Sequence, residues 1–383
     1  MEDQTKIDGA ALPSSAVHLN RRTFLRQARN GLMVPLALGG VGLVISACGG
    51  QEAAAPAPAP APTPGTDDGG PAPRETLSAR YMTALGLSLS FAEAMIAKEQ
   101  GFFDEQGLFV EILGGSGTAT ALQSVLGGTS LLSRANAING IISVANEGAP
   151  IVSVATCRQG GQFELASLPG GPINEPSDLR AGMNIGIISA AGAAENLLDA
   201  MLLDQNIDPG SIGKPITGVG PAAFELARRG EIDGWIAVNT DRQALQDGGE
   251  EIVAFNVYDH VDIPSDTFVT RADLMGTGDE RVVRFLAGVF QAIKWAEKPE
   301  NWEEAVANVR VYNPSINAEA AVKQMPLLVE DWLASGEDGI LAVDPDRWAR
   351  GQETLVKLGL VDTPAPVDRL IDGSFLAEAR TRV

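Results

Sequence analysis

Basic residues are in short supply in this chain. Against 49 acidic residues it has 28 lysines and arginines, leaving a net charge of −21. That balance argues against a nucleic-acid surface, whose affinity depends on a basic face that displaces counterions. It fits a soluble domain working outside the cytoplasm. Histidine is nearly missing, with only His18 and His260. His260 lies in Tyr258-Asp259-His260-Val261-Asp262, and with no second histidine beside it the stretch reads as a loop rather than a metal site. Cysteine is just as rare: Cys48 and Cys157. If Cys48 is used elsewhere, no intramolecular disulfide remains, and stability rests on core burial. A chain of 383 residues, 45% hydrophobic, is long enough for that. An enzyme needs a positioned acid, base, nucleophile or metal. None is visible, so neither catalysis nor a metal or cofactor is expected.

The chain also lacks an apolar run of the ~20 residues that span a bilayer. What it has is a shorter run over 31–47, preceded by Asn20-Arg21-Arg22-Thr23-Phe24-Leu25-Arg26. A positive region ahead of a short apolar one marks a secretory signal, and the paired Arg21 and Arg22 match the twin-arginine type. The run ends at Ile45-Ser46-Ala47-Cys48-Gly49, small residues before a cysteine. This resembles a lipoprotein signal-peptidase site, with Cys48 as the lipidated first residue of the mature chain. A single-pass anchor with an incidental cysteine is the alternative. An Ala/Pro-rich stretch follows within 48–75; it has no periodicity to pack and is expected to be an extended tether.

From residue 76 the pattern turns to α/β. Strands are expected at 78–83, 108–113, 131–134, 151–157 and 163–167, with helices at 91–100, 119–126 and 137–146 between the earlier ones. A second unit repeats the scheme. Its strands are expected at 184–188, 215–217 and 233–238 and its helices at 193–205 and 221–229, before a strand at 267–271 returns to the first lobe. The remainder reads as helical, at 279–297, from 302, at 318–333 and at 345–358. It contains Trp295, Trp302, Trp332 and Trp348, expected to be helix-packing residues. Two α/β lobes joined by crossing strands and finished by helices make a clamp. Lobe 1 is assigned to 76–165 and 267–383, and lobe 2 to 166–266.

Within this frame Ala97-Lys98-Glu99-Gln100-Gly101-Phe102-Phe103, Glu105-Gln106-Gly107-Leu108 and Val110-Glu111 resemble a signature of periplasmic solute-binding proteins. The branch serves ABC importers of nitrate, sulfonate, taurine, thiamine-pyrimidine and riboflavin. Gly148-Ala149-Pro150-Ile151-Val152, Ser177-Asp178-Leu179-Arg180-Ala181-Gly182 and Gly230-Glu231-Ile232-Asp233-Gly234 continue the match in order, over about 77–360. The resemblance implies a bilobed type II periplasmic-binding fold with two crossing strands and a ligand closed between the lobes. It also implies a monomeric receptor, lipid-anchored on the outer side of the membrane, that serves a separate permease and ATPase. Phe102, Phe103 and Leu108 are expected to pack lobe 1 rather than touch ligand.

Ligand contacts are expected in loops at the carboxyl ends of strands, where helix N-termini offer free amides. The candidates in lobe 1 are Ser88 and Ser90, then Gly115, Ser116 and Thr118, then Arg134 and Asn136, then Arg158 and Gln159. Either arginine could fork onto an anion or form a salt bridge. In lobe 2 they are Ser189, Gly192, Asn239, Thr240 and Asp241. Phe91, Phe163 and Trp235 could stack on a ring or serve the core. Family members often carry an aromatic or Trp-Glu-Pro-like run where this chain has Asn239-Thr240-Asp241, a departure that counts against sulfonate or taurine. Amides, hydroxyls and one carboxylate suit a vitamin-like heterocycle, riboflavin or a thiamine pyrimidine precursor. An anion receptor and a ligand-sensing lipoprotein are the alternatives.

Overall fold

The computed structural model describes residues 76–383. The twin-arginine signal, Cys48 and the tether lie outside the described residues. Among the described residues nine strands form two sheets: β1 (Leu77–Met82), β2 (Leu108–Leu113), β3 (Leu132–Asn136), β4 (Ile151–Thr156), β5 (Phe163–Ser167), β6 (Ile185–Gly186), β7 (Gly234–Val238), β8 (Val253–Asn256) and β9 (Asp266–Arg271). The first sheet has the order β2-β1-β3-β9-β4 and the second β6-β7-β5-β8.

Residue type explains the layering. β4 and β7 are buried at every position, as runs such as Ile-Val-Ser-Val-Ala-Thr require. The edge strand β2 alternates, with Leu108, Val110 and Ile112 inward and Phe109 facing solvent. β1 runs parallel to β2 and β3, whereas β9 enters antiparallel between β3 and β4. That insertion is made by the returning strand, so two segments of chain, 157–162 and 257–265, cross between the sheets.

The core of the first sheet is an aromatic cluster. Phe103 stacks on Phe285 at 5.2 Å, and Tyr81 and Phe268 pack on the same ring at 5.1 and 5.3 Å. Phe103 and Leu108 are buried there, and Phe102 packs partly buried against them. Gly288 makes room in the helix Glu280–Ala296, since a Cβ would lie 2.5 Å from the Phe103 ring. Trp332 and Trp348 are fully buried, and the Trp302 indole donates to the Ala296 carbonyl at 3.0 Å.

Four elements depart from the sequence pattern, the first being the strand expected at 184–188, which is only Ile185–Gly186. The segment 215–217 makes only a single bridge, Ile187 with Ile216. Asn239–Asp247, read as a loop, is a helix that begins as β7 ends. Val253–Asn256 joins the second sheet as an edge strand against β5.

Candidate functional site

A cavity of about 180 Å³ lies between the segments that follow β1 and β2 and the start of the helix after β7. The lobes touch across it. Ser90 Oγ and Thr240 Oγ1 are 3.5 Å apart, and Asn139 Nδ2 donates to the Ala191 carbonyl at 3.2 Å. The clamp is therefore shut, and the helix Ala318–Leu333 helps to close it: Ile316, just ahead of that helix, and Gln324 within it line the cavity.

The first wall comes from the loop after β1. Thr83 Oγ1 donates to the Gly86 carbonyl, Gly86 N donates to Gly115 O at 2.7 Å, and Gly117 N donates to Ala84 O at 2.8 Å. The loops after β1 and β2 are thus hydrogen-bonded to each other. Only glycine fits at Gly115, where a Cβ would come 2.2 Å from the Thr83 carbonyl. This pairing presents Ser88, Ser90, Phe91 and Thr118 to the cavity, while Ser116 turns out and approaches Thr120 at 3.2 Å. From the second sheet come Gln162, Phe163, Val238, Thr240 and Asp241.

Beneath this wall lies a buried ionic network. Arg134 is fully buried; Nη1 donates to Glu93 Oε1 at 2.6 Å and to Ser90 O at 2.7 Å, and Nε donates to Asp266 Oδ2 at 3.1 Å. Its guanidinium lies 4.7 Å from the centre of the Phe91 ring. Arg158, equally buried, donates to Asp331 Oδ2 at 2.5 Å. Arg134 Nη2 and Arg158 Nε have no partner, but neither arginine belongs to the cavity wall. Burial raises the Asp331 carboxyl above its ordinary range, against the lowering pull of Arg158.

Five of the sequence candidates therefore line the cavity: Ser88, Ser90, Thr118, Thr240 and Asp241. Apart from Ser116, the others hold the frame. Asn136 caps the helix Ala137–Glu147 and donates to Tyr258 Oη at 2.8 Å and Asp266 Oδ1 at 3.0 Å. Gln159 Nε2 donates to three carbonyls, Thr156, Gly339 and Ala342, tying the first crossing to the C-terminal region. Gly192 packs on Ser189, whose Oγ would meet a Cβ there at 2.4 Å. Asn239 Nδ2 reaches Asp331 Oδ2 at 3.5 Å. Phe91 and Phe163 line the cavity, whereas Trp235 packs edge-on against Phe224 in a separate core.

Among the wall residues the sequence did not single out are Gln162, Asp266 and Gln324. Asp266 had one available signal, as the residue opening the returning strand. Among the described residues the wall carries no lysine, arginine, histidine or cysteine. Cys157 is buried and is not part of the wall, and burial pushes its thiol up. His260 accompanies Asp204 at 2.9 Å, and Asp262 lies with Arg350 at 3.2 Å, so the Asp-His-x-Asp stretch is pulled apart.

A larger open groove, of about 570 Å³, lies at the opposite ends of the strands. Three arginines border it, each paired with a neighbouring acid: Arg80 with Glu111 at 2.6 Å, Arg271 with Asp273 at 2.5 Å and Arg281 with Asp279 at 2.6 Å. It is not placed between the lobes.

Two α/β lobes, a returning strand inserted in the first sheet and a cavity between them define the type II periplasmic-binding fold. A family model described as NMT1/THI5 like matches residues 88–301, and the chain belongs to that family. In fold the chain is similar to the periplasmic nitrate-binding protein NrtA from Synechocystis PCC 6803, at 16% identity and TM-score 0.60 over 82% of this chain and 90% of that one. It is likewise similar to the periplasmic aliphatic sulphonate binding protein SsuA from Escherichia coli, at 13% identity and TM-score 0.56 over 77% and 92%. The desulfurization enzyme DSZB shares the fold at 16% identity and TM-score 0.53 over 80% and 99%. No curated protein matches the sequence.

Proposed function

We propose that the protein is the solute receptor of an ABC importer, anchored by lipid at Cys48 on the outer side of the membrane. Its cargo is a single-ring nitrogen heterocycle of the vitamin-precursor type. One observation supports this above the rest: the cavity wall offers two phenyl rings, hydroxyls, amides and carboxylates, and no basic side chain. Rings stack on Phe91 and Phe163, while Gln162, Gln324, Ser90 and Thr240 supply donors and acceptors.

A nitrate or sulfonate receptor would be expected to turn cationic donors toward its anion. Here both central arginines are committed to internal carboxylates. Size separates the two vitamin candidates. A cavity of about 180 Å³ suits one ring with substituents, so a thiamine-type pyrimidine fits better than riboflavin, with its three fused rings and sugar-alcohol chain. Finding permease and ATPase genes beside this one would favour import, whereas finding a receptor kinase there would favour sensing.

Capture works through closure. A solute touching Ser90 and Phe91 on one lobe and Phe163, Thr240 and Asp241 on the other favours the shut state by its differential affinity. Mass spectrometry of solute released from the purified protein is expected to find a nitrogen heterocycle of one ring. A bound alkylsulfonate or nitrate would reject that cargo. For the anchor, Cys48→Ser is expected to yield soluble protein or an unprocessed precursor on fractionation. Normal processing with full membrane retention in that variant would refute lipidation.

A further inference from the structure

We infer that Asp241 selects for positive charge: its carboxylate pairs with a protonated or quaternary nitrogen on the captured ring, so the site admits cations and rejects anions. The inference deepens the ring-binding proposal and rests on it.

Three observations converge. Asp241 lies in the cavity wall, and the hydrogen bond it accepts there comes from Gly220 N at 3.1 Å. The basic side chains on the elements next to it are engaged elsewhere. On its own helix Arg242 donates to Glu164 Oε2 at 2.5 Å, and Asp247 accepts from Gln243. Across the cavity Asp266 is held by Arg134, and on the helix Ala318–Leu333 Asp331 is held by Arg158 and Lys323 by Glu319. Lastly, the charges around the cavity do not cancel. Glu93, Asp266 and Asp331 oppose only Arg134 and Arg158, and Asp241 adds a further carboxylate. A low-dielectric pocket with excess negative charge attracts a cation and repels an anion.

The protonation behaviour of Asp241 agrees. Burial pushes its carboxyl up to about 6, against a lowering by the Gly220 amide. A cation needs the ionised form and would draw that value back down. Binding of a cation should therefore strengthen as pH rises through about 6, and binding of an anion should weaken.

The test uses the full chain, purified in detergent, with 1-methylpyridinium (whose charge does not depend on pH), pyridine at pH 8, and ethanesulfonate, measured by isothermal titration calorimetry. The expected order is 1-methylpyridinium tightest, pyridine weaker, ethanesulfonate unbound. Affinity for 1-methylpyridinium should rise roughly tenfold from pH 5 to pH 8. Asp241→Asn should cost it about 10- to 100-fold and flatten the pH profile, leaving pyridine within about twofold. Equal binding of the two rings, or a cation affinity untouched by Asp241→Asn, overturns the charge assignment and leaves the ring proposal standing. Preferential binding of ethanesulfonate, or failure of both rings to bind, overturns both.

Discussion

Arg134→Met should destabilise the protein by about 3–5 kcal/mol in urea unfolding, because it removes one partner of a buried charge cluster. The guanidinium is fully buried between Glu93 and Asp266, and Glu93 Oε2 already lacks a partner. Without the arginine, two buried carboxylates face each other's field, and the Ser90 carbonyl loses its 2.7 Å donor. The Phe91 ring also loses the cation packed on it. Whatever folds should bind solute poorly, since Ser90 and Phe91 form the lobe 1 wall. A variant within about 1 kcal/mol of the parent, below the cost of even a modest buried defect, would show that the cluster relaxes around the loss.

The position of Arg134 also shows what the sequence could and could not reveal. The scaffold was legible because it is local. Phe163–Ser167, Leu108–Leu113 and the helix Ala318–Leu333 have the bounds their periodicity predicts. The segments after β1 and β7 were legible as cavity-facing because strand ends preceding helix starts are recognisable in sequence, although the one after β7 is a helix from its first residue. The partners of the arginines were not. Arg134 meets Asp266 across 132 residues and Arg158 meets Asp331 across 173, distances at which no spacing rule operates. An arginine at a strand end looks the same whether it faces a cleft or a buried carboxylate. Gln324 was invisible for a related reason: it sits mid-helix, and only the docking of that helix over the cleft brings it to the wall.

The same docking gives the C-terminal region a part in closure. Near the end of the helix Ala318–Leu333 the Asp331 carbonyl accepts from Gln159 N at 2.9 Å, a use of the free carbonyls of a last helical turn. Its carboxylate meanwhile touches Arg158 on the first crossing and Asn239 at the end of β7. One residue of the C-terminal helix thus contacts both a crossing segment and lobe 2. Stability and closure are joined at this point.

Asp331→Ala should cost about 3–5 kcal/mol, because it strands the buried Arg158 cation, whose Nε is already unpaired. The double variant Arg158→Met/Asp331→Leu should regain most of that loss. Burial raises the Asp331 carboxyl despite the arginine beside it, so desolvation outweighs the attraction and an apolar pair of similar volume forgoes little. The sign can be checked with pH. A carboxyl raised in the folded state favours folding while protonated, so its contribution is present below its unfolded pKa and fades as pH rises through the folded one. The double variant should therefore gain on the parent as pH rises from acid to neutral. Solute affinity should not recover with stability, since neither apolar side chain can hold Asn239 and the shut state loses a contact between lobes. Urea titrations at pH 4 and pH 7, with solute binding measured on the same samples, separate the two effects. If the double variant is as unstable as Asp331→Ala, the pair itself stabilises the fold and the desolvation argument fails.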